Sequence, residues 1–152
     1  MTAPPNPPGS SPRVGPRRIV VAYDGSPPSE RAVRFALSGI GGPDAEVWIV
    51  HADEAPHTVA EPRTDEERGT EVGAIEQALR AFQATADPAQ ARVHAWVREG
   101  TPATVLLAAA DEVRADLVVV GTRGLRSAGR LLLGSVSSEI VARAKRPVTV
   151  VP

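Results

Sequence analysis

Three glycines and a serine stand at fixed spacing late in the chain, in the stretch GTRGLRSAGRLLLGS from Gly121 to Ser135. The strand-like run ADLVVV precedes this stretch, and the helix-like run SVSSEIVARA follows it. Glycine lets a backbone approach an anion closely, and a helix start offers unpaired N–H groups and a partial positive charge. The spacing Gly121-x2-Gly124-x9-Gly134-Ser135 therefore indicates either a cradle for a di- or triphosphate or a tight turn before an ordinary helix start.

Two common phosphate-binding motifs are absent from the sequence. No lysine follows Gly134, as one would in a Walker A loop, and the run YDGSPPS after the first strand is no dinucleotide fingerprint. Ser135 and Ser137 would add hydroxyl donors to the cradle. The arginines of the loop could neutralise phosphate charge or remain solvated: Arg123, Arg126 and Arg130.

The composition narrows the classes of protein that are possible. The chain has 152 residues and a formal net charge of −1, so it offers no global attraction to nucleic acid or an anionic membrane. It has no cysteine, which excludes disulfides and thiolate sites. The three histidines, His51, His57 and His94, show no metal-ligand spacing, and we predict no metal ligands among them.

The N-terminal residues differ in composition from the rest of the chain. Residues 1–16 contain six prolines and no apolar stretch long enough for a signal peptide. No later run reaches transmembrane length. We therefore expect a disordered proline-rich tail over residues 1–16, one domain over residues 17–152, and a cytoplasmic location.

Strand-like and helix-like runs alternate from residue 17 onwards. Apolar or alternating runs predict five strands, at residues 18–23, 45–52, 91–99, 116–121 and 147–151. Helical spacing predicts four helices, from residue 27 through Ile40, over residues 72–86, over residues 102–113 and over residues 135–144. Ser26 and Thr101 each precede a proline and are predicted to cap the helices that follow them.

This alternation favours an α/β fold with a parallel sheet and helices on both faces. The first, second and fourth strands are apolar throughout, as strands buried on both faces should be, whereas the third alternates and the fifth is short. These patterns predict a five-stranded sheet of order 3-2-1-4-5. In this order the helices that follow strands one and four go to opposite faces of the sheet, so a crevice should open beside Asp24 and Gly121, where such sheets bind ligands.

The glycine pattern resembles the ATP-binding signature of the universal stress protein family. Four longer segments resemble the same family: RRIVVAYDGSPPSERAVRFA, VWIVHA, VREGTPATVLLAAADEVRADLVVVGTRG and LLLGSVSSEIVARAKRPVTVVP. The resemblance covers about residues 17 to 152. It implies the adenine nucleotide alpha hydrolase-like form of the α/β fold, with ATP as the ligand.

The resemblance also implies ten positions that contact the nucleotide. The phosphates would be held by the loop backbone and the helix start, at Gly124, Gly134, Ser135, Val136 and Ser137. The ribose would lie near Gly121 and Asp24. Adenine would contact the backbone of Ala52, and the same crevice would be lined by Ala22 and Tyr23.

Three roles are open to Asp24. Its carboxylate could accept hydrogen bonds from ribose hydroxyls, or it could help to hold a divalent ion such as Mg²⁺ that bridges the phosphates. It could also bond its own backbone in a turn. We favour a role in ligand binding because Asp24 is predicted at the point where the strand order reverses, beside the crevice.

Three classes of function are compatible with this sequence. The first is a regulatory stress protein that binds ATP and hydrolyses it slowly or not at all, and the second is a weak ATPase or adenylyl-transfer enzyme. The third is a protein-interaction module without a nucleotide. Apart from Asp24 no base follows the predicted strands near the loop, and no Ser-Gly-Gly or His-x-x-His motif is present, so we predict no catalytic residues. The intact glycines argue against the third class.

The last predicted strand bears on assembly. The stretch PVTVV, which begins at Pro147 and ends at Val151, is short and apolar. Members of the family usually form dimers by pairing their final strands across a two-fold axis, and an uncovered apolar edge favours such pairing. The resemblance therefore implies a homodimer through this strand, with an adenine nucleotide as partner and neither nucleic acid nor membrane.

Overall fold

The computed structural model describes residues 15–54, 64–122 and 133–152. Most of the proline-rich tail, His57, Gly124 and the three loop arginines lie outside these residues. In the described parts of the chain, strands and helices alternate as predicted. In chain order they are β1 Arg18–Ala22, α1 Pro27–Leu37, β2 Ala45–Asp53, α2 Asp65–Thr85, β3 Ala91–Glu99, α3 Pro102–Glu112, β4 Leu117–Gly121, α4 Ser135–Arg143 and β5 Val148–Val151.

The strands form one sheet of order β3-β2-β1-β4-β5, and every neighbouring pair is parallel. The predicted fold class and strand order are therefore confirmed. The alternating β3 and the short β5 form the two edges, and the apolar strands lie between them. This order follows from burial, because only a strand covered by helices on both faces needs apolar side chains on both faces.

The helices cover the sheet in two layers, each with its own apolar core. The first core joins one face of the sheet to α1 and α2, with Ile19, Val21, Val33, Ile49, Ile75 and Leu79 among its buried residues. The second joins the other face to α3 and α4, with Val20, Val50, Leu106, Val118 and Ile140 among its buried residues. Since α1 follows β1 and α4 follows the neighbouring β4, the chain leaves these two strands toward opposite faces, and a crevice opens between them.

Two helix starts test the predicted caps. The Oγ of Ser26 accepts a hydrogen bond from the N–H of Ser29 at 3.3 Å, so this cap is confirmed. Thr101 occupies the N-cap position of α3, but its side chain makes no capping bond, and that part of the prediction is wrong. Pro102 already fixes a helical φ at the first position of α3, so the helix can begin without the hydroxyl.

Two helix boundaries differ from the predicted ones. The first helix ends at Leu37 rather than at Ile40, because the Oγ of Ser38 bonds to the Phe35 carbonyl and Gly39 has a φ of 84°. The α2 helix begins at Asp65, seven residues before Val72, the first residue of the apolar pattern that marks it in the sequence. It begins there because the side chains of Thr64 and Glu67 bond reciprocally to each other's backbone N–H in a capping box.

Candidate functional site

A cavity of about 280 Å³ opens at the carboxyl ends of β1, β2 and β4, beside the start of α4. This volume lies near the lower limit for small-molecule pockets, roughly 300 Å³. Nine of the ten predicted ligand-contacting positions line it: Ala22, Tyr23, Asp24, Ala52, Gly121, Gly134, Ser135, Val136 and Ser137. The tenth, Gly124, lies outside the described residues. The structure thus brings residues from four elements to one place, and their role in binding stays a prediction.

The start of α4 supplies hydrogen-bond donors to this cavity. Gly134 is the N-cap and has no side chain to cap the helix, and the first intrahelical bond runs from the N–H of Ser138 to the Gly134 carbonyl at 3.0 Å. The N–H groups of Ser135, Val136 and Ser137 therefore have no intrahelical acceptor. Within the described residues no other acceptor reaches them, so three N–H groups and the positive end of the helix dipole are available to an anion.

The start of α1, on the other side of the crevice, offers no such donors. Its first two residues are Pro27 and Pro28, which have no N–H. The next two N–H groups, of Ser29 and Glu30, donate to the side chain and carbonyl of Ser26 at 3.3 Å and 2.9 Å. As far as the described residues show, an anion in this crevice would therefore be held at α4 and not at α1.

The hydroxyl of Ser137 does not point its proton at a ligand, contrary to the sequence-based expectation. Its Oγ donates to the carbonyls of Thr122 and Gly134, at 3.1 Å and 3.0 Å. The N–H of Gly134 also donates to the Thr122 carbonyl, at 2.7 Å. These bonds hold the two ends of the intervening loop together, because Thr122 precedes it and Gly134 follows it. Ser137 thus contributes its backbone N–H to the cavity and uses its side chain to hold Thr122, at the end of β4, against the start of α4.

Gly121 has a packing role that the sequence did not reveal. A Cβ at this position would lie 2.8 Å from the carbonyl carbon of Pro28 and 2.9 Å from the nitrogen of Ser29. These are backbone atoms that cannot move aside without displacing the start of α1. The absence of a side chain at Gly121 therefore allows α1 to pack against the end of β4, which is a sufficient reason for glycine here even without a ligand.

Asp24 forms a turn and also lines the cavity. Its Oδ1 accepts a hydrogen bond from the N–H of Ser26 at 3.0 Å, and the intervening Gly25 has a φ of 81° that favours glycine. The turn role considered for this residue is therefore present. Among the described residues, no group of three histidine or carboxylate side chains is arranged to hold a metal ion.

Tyr23 and His51 connect the ends of β1 and β2 at the cavity wall. The Nδ1 of His51 lies 2.9 Å from the backbone carbonyl oxygen of Tyr23. The ring of Tyr23 meets that of Phe82 edge-on, and its burial, with the nearby charges of Glu30 and Asp24, raises the pKa of the phenol. Tyr23 therefore stays protonated at neutral pH. The spacing of the histidines along the chain gave no sign of a site at His51, and its place on the cavity wall was not predicted.

Carboxylates line the side of the cavity that faces α2. Asp53, Glu54 and Glu71 belong to the lining, together with Asp24, and the described lining has no lysine or arginine. Arg68 bonds Asp53 at 2.6 Å and Glu99 at 2.8 Å, and these bonds raise the pKa of its guanidinium. The cavity thus has N–H donors at the α4 end and acceptors along the α2 side. This wall was not predicted, because Glu71 reaches the cavity from α2, which is distant along the chain from the glycine loop.

Comparison with known proteins gives this geometry a family context. The profile of the universal stress protein family matches residues 15–152. A universal stress protein of Thermus aquaticus is 38% identical over 142 residues, which cover 89% of this chain and 98% of that protein.

Two solved structures with this fold hold adenine nucleotides. A universal stress protein in complex with cAMP is 32% identical, with a TM-score of 0.68, and the match covers 91% of this chain and 98% of that one. The universal stress protein of Archaeoglobus fulgidus in complex with dAMP is 25% identical, with a TM-score of 0.63, over 89% of this chain and 97% of that one.

Proposed function

We propose, from the premise that this chain belongs to the universal stress protein family, that it binds ATP in the cavity beside α4 and acts as a cytoplasmic regulatory protein of the stress response. The relatives solved with cAMP and dAMP support an adenine nucleotide as the ligand class. Within this class we propose ATP, because the three unpaired N–H groups at the start of α4 can donate hydrogen bonds to a chain of phosphates.

The observation that carries this proposal is the contrast between the two helix starts at the crevice. The start of α1 offers no N–H group to an anion, because its first two residues are prolines and Ser26 caps the helix. By contrast, α4 begins without a side-chain cap and with three free N–H groups among the described residues. A phosphate that accepts hydrogen bonds from these groups also gains from the helix dipole. The phosphates therefore lie at α4, and the nucleoside extends toward Tyr23 and Ala52.

We further propose that hydrolysis of bound ATP is slow or absent. A fast reaction needs a base that is free to orient water. The carboxylate of Asp24 accepts from the Ser26 N–H, and that of Asp53 is held by Arg68, which makes both poor bases. The other two carboxylates of the lining, Glu54 and Glu71, belong to the side that faces α2, whereas we place the phosphates at α4. A Mg²⁺ ion that accompanies the phosphates needs only one or two protein carboxylates, and Asp24 is the residue we assign to it. Release of ADP from added ATP measures this property directly.

The phosphate site can be tested by removing one N–H without removing the helix. Ser135 is the first residue of α4, where proline is well tolerated, and α1 of the same chain begins with two prolines. We expect Ser135→Pro to lose one charge-assisted hydrogen bond, about 1.5–3 kcal/mol, and to bind ATP roughly 10- to 100-fold more weakly by calorimetry. Thermal unfolding of the variant should change little.

Ser135→Ala is the matched control, because it removes the hydroxyl and keeps the N–H. It should bind ATP with nearly the wild-type Kd. Equal affinities of Ser135→Pro and the wild-type protein would contradict the placement of the phosphates at α4. The same titrations with AMP and cAMP rank the ligands, and we expect the affinity to increase with the number of phosphates.

We also propose that the protein is a homodimer that pairs β5 with its copy. The four residues of β5 are all partly exposed in the single chain, although three of them are valines. Phe35 and Val141 are the exposed large apolar residues in the described parts of the chain. They belong to α1 and α4, which pack on opposite sides of β5, so a second copy could cover all three surfaces.

A further inference from the structure

We propose that His51 selects the ligand, because its Nε2 accepts a hydrogen bond from a neutral donor group of the bound nucleotide, either a ribose hydroxyl or the adenine amine. This inference rests on the proposed nucleotide-binding function. It adds a side-chain contact to a site that otherwise depends on backbone groups.

The position of the proton on the His51 ring follows from its partner. The Nδ1 of His51 lies 2.9 Å from the backbone oxygen of Tyr23, and a carbonyl oxygen can only accept a hydrogen bond. Nδ1 must therefore carry the hydrogen. In the neutral ring this leaves Nε2 with a lone pair and no hydrogen, so that Nε2 can only accept.

The Nε2 of His51 is the ring atom that we infer to face the cavity. The residue is only 6% exposed, yet it belongs to the cavity lining. Of the fully buried side-chain nitrogens and oxygens in the described residues, the Nε2 of His94 is the one without a partner. Among the described residues no hydrogen bond is formed by the Nε2 of His51, so this atom is not fully enclosed, and the open space that His51 lines is the cavity.

A fixed acceptor in a buried position discriminates strongly between ligands. A ligand that brings a hydroxyl or an amine to Nε2 makes a hydrogen bond, whereas a ligand without that group leaves a buried acceptor unpaired. The ring cannot turn over to present a donor without losing its bond to Tyr23. We therefore expect about a tenfold preference for the ligand that carries the donor.

Two variants of His51 separate its two nitrogens. In His51→Asn the side-chain amide can replace Nδ1 and keep the bond to the Tyr23 carbonyl, but nothing replaces Nε2. In His51→Gln the amide reaches the position of Nε2 and the bond to Tyr23 is lost. If His51 were only structural, His51→Gln would be the more damaging change for both stability and binding.

The experiment measures the Kd of ATP, 2′-deoxy-ATP, 3′-deoxy-ATP and N6,N6-dimethyl-ATP for the wild-type protein and for His51→Asn. One of the three analogues lacks the donor, and the wild-type protein should bind it about tenfold more weakly than ATP. In His51→Asn, ATP should bind about tenfold more weakly than in the wild type, and this analogue should bind as well as ATP. The analogue that binds more weakly shows whether the donor to Nε2 is a ribose hydroxyl or the adenine amine.

Nitrogen NMR of the ligand-free protein gives a second readout that does not depend on the variants. The Nε2 of His51 should show the chemical shift of an unprotonated ring nitrogen, and this shift should move when ATP is added. A hydrogen on Nε2 in the ligand-free protein, or the same discrimination among the four nucleotides in wild-type and His51→Asn proteins, would overturn the proposal. If the wild-type protein binds no adenine nucleotide, the proposed function fails as well.

Discussion

At the scale of single residues, the two glycines on either side of the loop between β4 and α4 have different reasons for being glycine. Gly121 is buried, and the backbone of Pro28 and Ser29 occupies the space that a Cβ would need. Gly134 has an ordinary extended backbone, with a φ of −72°, and leaves the start of α4 without a capping side chain. Gly121 thus serves packing, while Gly134 keeps the N–H groups of the helix available.

We predict that Gly121→Ala destabilises the protein. The added methyl group would lie about 3 Å or less from backbone atoms of α1, so either α1 or β4 must shift, and such overpacking costs about 1–3 kcal/mol. Urea unfolding measures the loss. A variant as stable as the wild type would show that the start of α1 can shift to accommodate the methyl group without lowering the free energy of unfolding.

At the scale of whole elements, α2 combines a well-anchored start with an intrinsically weak middle. Thr64 and Glu67 close its first turn, and Arg68 ties that turn to Asp53 and Glu99 at the ends of β2 and β3. Gly69 and Gly73 follow immediately, and glycine disfavours a helix. The helix therefore depends on its anchors to place Glu71 at the cavity wall.

We predict that replacing both glycines of α2 with alanine stabilises the protein. Nothing lies within 4 Å of a Cβ at Gly69 or Gly73, so the methyl groups enter open space. Each change should contribute about 0.5–1 kcal/mol through the lower conformational entropy of the unfolded chain. Urea unfolding at neutral pH measures the gain in stability. Because Gly69 and Gly73 are exposed, these two variants also serve as controls for the added methyl group in Gly121→Ala. A loss of stability in both single variants would contradict the helix at these positions.

The ion pair between β3 and α3 gives a prediction about pH. Arg98 bonds Glu112 at 2.5 Å and 3.1 Å, which lowers the pKa of Glu112 below its ordinary value of 4.5. A lowered folded-state pKa means that this contribution to stability is present above about pH 4.5 and is lost as the pH falls through the folded-state value.

Glu112→Gln should therefore be less stable than the wild type at pH 7, and the difference should shrink at acid pH. Urea unfolding of both proteins across this range is the measurement. The pair is exposed to solvent, so high salt should also reduce the difference. A difference that stays constant from pH 7 to pH 3 would assign the effect to packing of the side chain and not to its charge.

At the scale of the whole molecule, the proposed homodimer depends on β5, whose second edge has no strand paired with it among the described residues. The N–H groups of Val118 and Thr122 donate to the carbonyls of Pro147 and Val151, which therefore face β4. Because backbone groups alternate along a strand, those of Val150 point away from β4 toward the open edge. The outward backbone groups of β5 can thus form hydrogen bonds with a second copy.

We predict that Val150→Pro converts the proposed homodimer to a monomer. The change removes an outward N–H and no bond to β4, and proline is tolerated on edge strands. Sedimentation velocity should show twice the chain mass for the wild type and the single chain mass for the variant. Val150→Ala keeps the N–H and should remain dimeric. If wild-type protein sediments as a monomer at all concentrations, the proposed dimer is wrong.

The sequence by itself determined the features that depend on neighbouring residues. Apolar runs, alternation in β3 and the capping serine at Ser26 act over a few positions, and they were enough to predict five strands, their order and the crevice between β1 and β4. Nine predicted site residues reached one cavity because the carboxyl ends of parallel strands meet at one edge of the sheet. The turn considered for Asp24 is also formed by neighbouring residues, since its carboxylate accepts from the N–H of Ser26.

Only the tertiary structure decided what each group does inside that cavity. The pairing of His51 with Tyr23, the bonds from Ser137 to Thr122 and the contact of Gly121 with α1 join residues that are distant in the sequence or depend on side-chain orientation. A pattern of residue types does not encode such contacts, because the same types occur wherever a strand ends. The direction of a lone pair or the room for a Cβ is fixed only when separate elements pack together.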